Sequence, residues 1–139
     1  MPNILVPIDG SAQSDAAVEY ATSEFDPSEI TLLHVIDPIE AGYSATASVP
    51  GFSEEWYKHQ KEEAEALFEA TREYVDGAEV TTATEVGRPS RTIVEYAEEN
   101  DIDHIVMGSH GRSGVTRILL GSVAEAVVRR SPIPVTIVR

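Results

Sequence analysis

Four nearly uninterrupted apolar runs, separated by helical patterns, restrict this chain more than any other feature. They are Asn3–Ile8 (NILVPI), Ile30–Ile36 (ITLLHVI), His104–Met107 (HIVM) and Ile133–Val138 (IPVTIV). A strand with one wet face alternates apolar and polar residues. Continuous apolarity means that both faces are covered, as in a parallel sheet flanked by helices. A fifth run, Glu79–Val86 (EVTTATEV), does alternate with Thr and Glu, and predicts a half-exposed strand near an edge.

Helical signals fill the intervals. Ala17, Ala21 and Phe25 recur every four residues. Ala64, Leu67, Phe68, Thr71 and Val75 form a stripe on a long acidic helix starting near Ser53. Ile93, Val94 and Ala97 mark a third helix, with Pro89 suited to its first turn. Val123, Ala124, Val127 and Val128 mark a fourth, ended by Ser131-Pro132. The order β-α-β-α-β-α-β-α-β predicts an α/β fold, a doubly wound parallel sheet with right-handed crossovers. At 139 residues the expectation is one domain over 1–139, able to fold without disulfide or metal. The absence of cysteine excludes thiol catalysis and thiolate metal sites. No apolar run approaches the ~18 residues of a membrane span, and no signal-peptide pattern is visible, so a cytoplasmic location without membrane partners is expected. Asp37–Phe52 (DPIEAGYSATASVPGF) has neither period and exceeds common loop lengths, reading either as a lid or as a disordered segment.

The net charge of −14 argues against nucleic acid as a partner. Either adaptation to a high-salt cytoplasm or a surface built for a cationic partner accounts for it; the spread of acids over several helices favours the former. From His104 onward the balance reverses, with Arg112, Arg117, Arg129, Arg130 and Arg139 against Glu125 alone. An anionic ligand is better received in that third, although Arg129 and Arg130 also complement a helix C-terminus.

In an open parallel sheet, ligands bind beyond the strand C-termini where strand order reverses. Candidate residues follow three strands, at Pro7-Ile8-Asp9-Gly10-Ser11, at Val35-Ile36-Asp37 and at Gly108-Ser109-His110-Gly111-Arg112-Ser113-Gly114. The last is glycine-rich, and successive backbone amides without Cβ interference form an anion nest. Gly121-Ser122 stands directly before the fourth helix, whose first amides suit a phosphate. Together the two segments make a two-part phosphate cradle. An architectural reading stands beside it. In it, Ser122 and Glu125 spell a capping box and the glycines serve only to turn the chain. Neither a Walker sequence nor a dinucleotide fingerprint is present.

Gly108, two residues, Gly111, nine residues, then Gly121-Ser122 is a pattern that resembles the ATP-binding class of the universal stress protein family. Ile4-Leu5-Val6-Pro7-Ile8-Asp9, Gly87-Arg88-Pro89, Asp103–Gly108 and Pro132-Ile133-Pro134-Val135 carry the same resemblance, which covers essentially the whole chain. It implies a five-stranded Rossmann-like sheet of order 3-2-1-4-5, of the adenine nucleotide alpha hydrolase-like kind. It implies that Asp9 faces a nucleotide, that Pro7 and Ile8 line the base and sugar pocket, and that Val35 borders adenine. Gly108, Gly111, Gly121 and Ser122 would hold ribose and phosphates, with Met107, His110, Arg112 and Val123 beside them. The ligand would be ATP, or ADP or AMP, with Mg²⁺ bridging phosphates rather than held by protein side chains. The resemblance also implies a homodimer through Ile133–Val138 and a regulatory role in stress response with a protein partner.

Asp9 alternatively caps the first helix or holds the turn at Gly10-Ser11. His110 and Arg112 alternatively face solvent. His34, inside an apolar run, reads as a packed core residue, while His59 and His104 have no partner at metal spacing. Trp56 and Tyr57 read as anchors of the long helix. With no P-loop lysine and no general base, a dedicated enzyme is not expected, and at most slow ATP hydrolysis. A receiver domain would need an acidic pair at Asp9 and a late lysine, and no lysine follows Lys61. Two classes remain: a nucleotide-dependent switch, and a nucleotide-independent interaction or chaperone-like module with architectural glycines.

Overall fold

A computed structural model describes residues 2–25, 29–38, 54–109 and 120–139. Its elements run β1 (Asn3–Pro7), α1 (Ala12–Phe25), β2 (Glu29–Ile36), α2 (Glu54–Arg72), β3 (Glu79–Val86), α3 (Pro89–Glu99), β4 (His104–Gly108), α4 (Ser122–Arg130) and β5 (Val135–Val138). The five strands form one sheet in the order β3-β2-β1-β4-β5, and every registered pair is parallel. The doubly wound architecture read from the apolar runs is therefore the one adopted. The segment read as a lid or as disordered, 37–52, lies outside the described residues from position 39 onward.

Two cores lie on opposite faces of the sheet. On one face Ile4, Val6, Ile8, Ile30, Leu32 and Val106 meet Ala17, Val18 and Ala21 of α1 and Ala64 and Phe68 of α2. On the other, Leu5, Leu33, Ile105 and Met107 meet Ile93, Val94 and Ala97 of α3 and Ala124 and Val127 of α4. Alternate residues of β1, β2 and β4 thus serve alternate cores, which is why apolar residues follow one another directly in Ile4–Val6, Leu32–Leu33 and Ile105–Met107. Phe68 is 2% exposed, and burying such a ring contributes roughly 1.5–3 kcal/mol. β3 occupies one edge and is half-exposed along most of its length, as its Thr-rich alternation predicted.

The last strand is shorter than its apolar run. Ile133 lies in a turn, where its N–H donates to Ser131 Oγ at 3.1 Å and its carbonyl accepts from the same hydroxyl at 2.7 Å. Pro134 has no N–H to give, although its carbonyl accepts from Ile105 at 3.0 Å. The ladder with β4 therefore begins at Val135.

α1 runs along β4, from Gln13 beside Gly108 to Phe25 beside His104. Its C-terminal Phe25 packs against His104 at the start of β4, with ring centroids 4.6 Å apart and the planes tilted by 49°, and His104 Nε2 lies 2.6 Å from Thr136 Oγ1 on β5. Burial lowers the His104 pKa below the ordinary imidazole value, so the ring stays neutral further into acid. This histidine ties α1, β4 and β5 together at the end of the sheet remote from the strand C-termini.

Candidate functional site

β1 and β4 are neighbours, yet the chain leaves β1 for the α1 face and leaves β4 toward the α4 face. That divergence opens a crevice beyond their C-terminal ends. The register sharpens it. β1 and β2 hold five aligned pairs up to Pro7↔Leu33, whereas β1 and β4 hold only Ile4↔His104 and Leu5↔Ile105. The β1–β4 ladder thus ends before either strand does. Pro7, lacking an amide, suits a strand end where the ladder stops.

On the β1 side the chain turns at once. Gly10 has φ +83°, a left-handed conformation that glycine adopts without strain, with Leu67 of α2 next to it. Asp9 Oδ1 accepts the Ser11 N–H at 2.9 Å. Ser11 Oγ accepts the Ser14 N–H at 3.1 Å and so caps α1. Of the two architectural roles open to Asp9, it plays the turn-holder, and the cap is Ser11. Asp9 itself is half-buried at the crevice rim.

On the β4 side, Gly108 is tightly hemmed in. A Cβ there would stand 2.7 Å from Gln13 Cβ and 2.9 Å from the Gln13 carbonyl carbon and oxygen. The first turn of α1 therefore lies directly on the end of β4, and only glycine permits it. Ser109, 3% exposed, follows. Its N–H donates to Val138 O at 2.9 Å, and its carbonyl accepts the Gly121 N–H at 2.6 Å. The second bond brings the two glycine segments together, because the chain that leaves at Ser109 returns at Gly121 to the same point. Leu120 packs into the core beneath α3 and α4 rather than between the two segments.

α4 then begins without a side-chain cap. Gly121 is its N-cap, with extended φ −69° and ψ 164°, and its carbonyl accepts the first helical bond, from Glu125 N at 2.9 Å. The capping box read from Ser122 and Glu125 is not formed. Ser122 is the first helical residue and is exposed, and Glu125 pairs instead with Arg129 at 2.9 Å. The reason is positional. The Gly121–Ser109 bond fixes the helix start one residue earlier than the box requires. The first-turn amides of α4 carry the positive end of the helix dipole and have no side-chain acceptor among the described residues. This donor set suits an anion, and the exposed Ser122 hydroxyl stands beside it.

The remaining candidates divide by side-chain direction. Ile8 is 3% exposed in the α1/α2 core and Met107 is 5% exposed in the α3/α4 core, so each offers the crevice only its backbone. Pro7 is half-buried, and Val35 and Val123 are half-buried against the α3/α4 core. His110, Gly111 and Arg112 lie outside the described residues. Among the described residues no three His, Asp or Glu side chains converge as a metal site would need, and no helix is long and apolar enough to cross a membrane.

The whole chain, residues 1–139, matches the model of the universal stress protein family. The chain belongs to that family. The universal stress protein MJ0577 of Methanocaldococcus jannaschii is 34% identical over 151 residues, spanning 98% of this chain and 93% of that protein. A solved structure of MJ0577 matches this universal stress protein at a TM-score of 0.85 and 35% identity, covering 99% of this chain and 94% of that one. UspA of Lactobacillus plantarum follows at 0.78 and 29% identity, covering 99% and 97%. A universal stress protein of Archaeoglobus fulgidus, solved in complex with dAMP, has a TM-score of 0.66 at 22% identity, covering 100% of this chain and 98% of that one. At that identity the likeness speaks for the shared fold alone.

The sequence motifs did not announce three participants of this rim. Gln13 acts through tertiary proximity to Gly108, and Ser14 through the turn that Asp9 and Ser11 form. His34 Nδ1 lies 3.0 Å from the Ile8 carbonyl, a contact that exists only once β1 and β2 are in register.

Proposed function

We propose that this universal stress protein binds ATP, or ADP or AMP, in the crevice between β1 and β4, and acts as a ligand-dependent switch rather than a dedicated enzyme. The observation that carries the reading is the 2.6 Å bond from Gly121 N–H to Ser109 O. It gathers the Gly108 end of β4 and the uncapped start of α4 at the one place in the sheet where strand order reverses. In this reading the phosphates sit on the amides of Ser122 and Val123 and on Ser122 Oγ, with Gly108, His110, Gly111 and Arg112 around them. The Gly121 amide, already donated to Ser109, is the clamp rather than a phosphate ligand. Asp9 takes the ribose side, with the Pro7 and Ile8 backbone and Val35 toward the base and Met107 behind. Mg²⁺ would bridge phosphate oxygens. Nucleotide ordering of the 37–52 segment would supply the switch, read by a protein partner.

A second reading has a specific observation behind it. Packing against Gln13 alone is reason enough for Gly108 to be glycine, as expected of an interaction module whose glycines are architectural. Calorimetry with Mg-ATP in high salt, paired with thermal melts, separates the two. Binding heat and a raised melting temperature are expected. Neither heat nor shift at millimolar ATP would select the module.

The free edge of β5 (Val135–Val138), half-exposed at every residue, fits a homodimer that pairs last strands across a two-fold axis. Light scattering is expected to give twice the chain mass of 15.1 kDa, and a monomer at micromolar concentration would rule the pairing out.

A further inference from the structure

We propose that His34 is a positioning residue for the nucleotide site: through Nδ1 it holds the Ile8–Asp9 peptide and thereby sets how Asp9 is presented to the crevice. The inference rests on the nucleotide reading above for its functional consequence, but the geometry stands apart from it.

β1 and β2 are registered up to Pro7↔Leu33, and the Ile8 N–H still donates to Leu33 O at 2.8 Å. Were the ladder to continue, the Ile8 carbonyl would accept the backbone amide of Val35. Here it faces Nδ1 of the His34 ring at 3.0 Å. A carbonyl only accepts, so the contact is a hydrogen bond when Nδ1 carries a ring proton. The substitution of a side chain for a ladder amide falls at the residue where β1 leaves the sheet for the turn at Gly10.

The same peptide is held from its other end. The Asp9 N–H faces Ser14 Oγ at 3.5 Å, the outer limit of such a bond, and Ser14 is 4% exposed and donates to Ser11 O at 3.1 Å. A peptide unit is planar, so fixing its carbonyl and its amide fixes the plane and the position of Asp9 Cα within it. The carboxylate is then locked by its bond from Ser11 N–H at 2.9 Å. His34 and Ser14 thus grip one peptide from two elements, β2 and α1, and Asp9 is organised before any ligand arrives. A side chain held in place before binding loses less freedom on binding.

His34→Asn and His34→Phe test this. The asparagine amide nitrogen falls near the position of Nδ1 and still donates, whereas phenylalanine keeps the bulk and loses the donor. By Mg-ATP calorimetry His34→Phe is expected to weaken binding about tenfold, the scale of one hydrogen bond, with His34→Asn recovering most of it. Melting temperatures of the two variants, recorded alongside, show whether affinity and stability move separately. In the wild-type protein, ¹⁵N spectra of the ring are expected to show a protonated Nδ1, and the Asp9 amide resonance is expected to shift in His34→Phe far more than in His34→Asn. Equal ATP affinity in wild type and His34→Phe, or an asparagine variant as weak as the phenylalanine one, would overturn the positioning role. So would a ring protonated at Nε2 alone. If the wild-type protein bound no nucleotide, the nucleotide reading would fail by itself, and the ring and amide spectra would still decide whether His34 pins Asp9. They decide it equally if His34→Phe does not fold.

Discussion

Gly121→Val is expected to lower Mg-ATP affinity about a hundredfold while leaving the fold in place. The backbone at Gly121, φ −69° and ψ 164°, lies in the β region open to any residue, so valine brings no conformational strain of its own. Valine keeps its N–H, and the 2.6 Å clamp to Ser109 O can persist. What changes is the ground before α4. A branched side chain at the N-cap stands over the first-turn amides, where a phosphate would lie. Loss of two charge-assisted hydrogen bonds at ~1.5 kcal/mol each amounts to ~3 kcal/mol, or two decades in Kd. Calorimetry reads the affinity, and a melt without ligand checks that the fold is kept. If the variant melted normally and bound ATP as the parent does, the phosphates would have to sit elsewhere, and the α4 start would be only a helix start.

The sheet was legible because the chemistry of each strand matched its position. β1, β2 and β4 feed two cores and are apolar at successive residues, while edge strand β3 carries its Thr-rich alternation openly. The convergence of the glycine segments was legible through spacing, since Gly108 and Gly121 flank a stretch whose ends must meet if both serve one ligand. Details that depend on which atoms meet across the fold were not. Ser122 and Glu125 have the letters of a capping box, but the Ser109 carbonyl takes the Gly121 amide and advances the helix start. His34 looks like any residue of an apolar run until the β1–β2 register places Ile8 opposite it. The start of β5 depended on a hydroxyl, Ser131 Oγ, holding Ile133 in a turn. In each case a local pattern yielded to a hydrogen bond between segments distant in sequence or bent back on themselves. The acidic composition placed no residue of the candidate site.

Gly108→Val probes the other wall, and its primary effect is expected on stability. The nearest atoms to a Cβ at this position are Gln13 Cβ, C and O at 2.7, 2.9 and 2.9 Å, well inside the ~3.5–4 Å of comfortable carbon contact. None of them is the end of a flexible side chain, so no rotamer change relieves the overlap, and the first turn of α1 must lift from β4. Trimming Gln13 to alanine gives no rescue, because alanine keeps all three atoms. Overpacking of this kind costs about 3 kcal/mol, which for a chain of this length lowers Tm by roughly 10 °C. The displacement also reaches the crevice. The residue after Gln13 is Ser14, whose hydroxyl faces the Asp9 amide, so lifting the α1 turn loosens the peptide that His34 grips from the other side. Affinity for Mg-ATP is therefore expected to fall in the folded variant as well, though no phosphate contact has been touched. Thermal melts followed by calorimetry below the lowered Tm measure both. A variant melting within a degree or two of the parent would mean that α1 does not rest on β4 at Gly108, and the glycine would then have to be explained by the ligand alone.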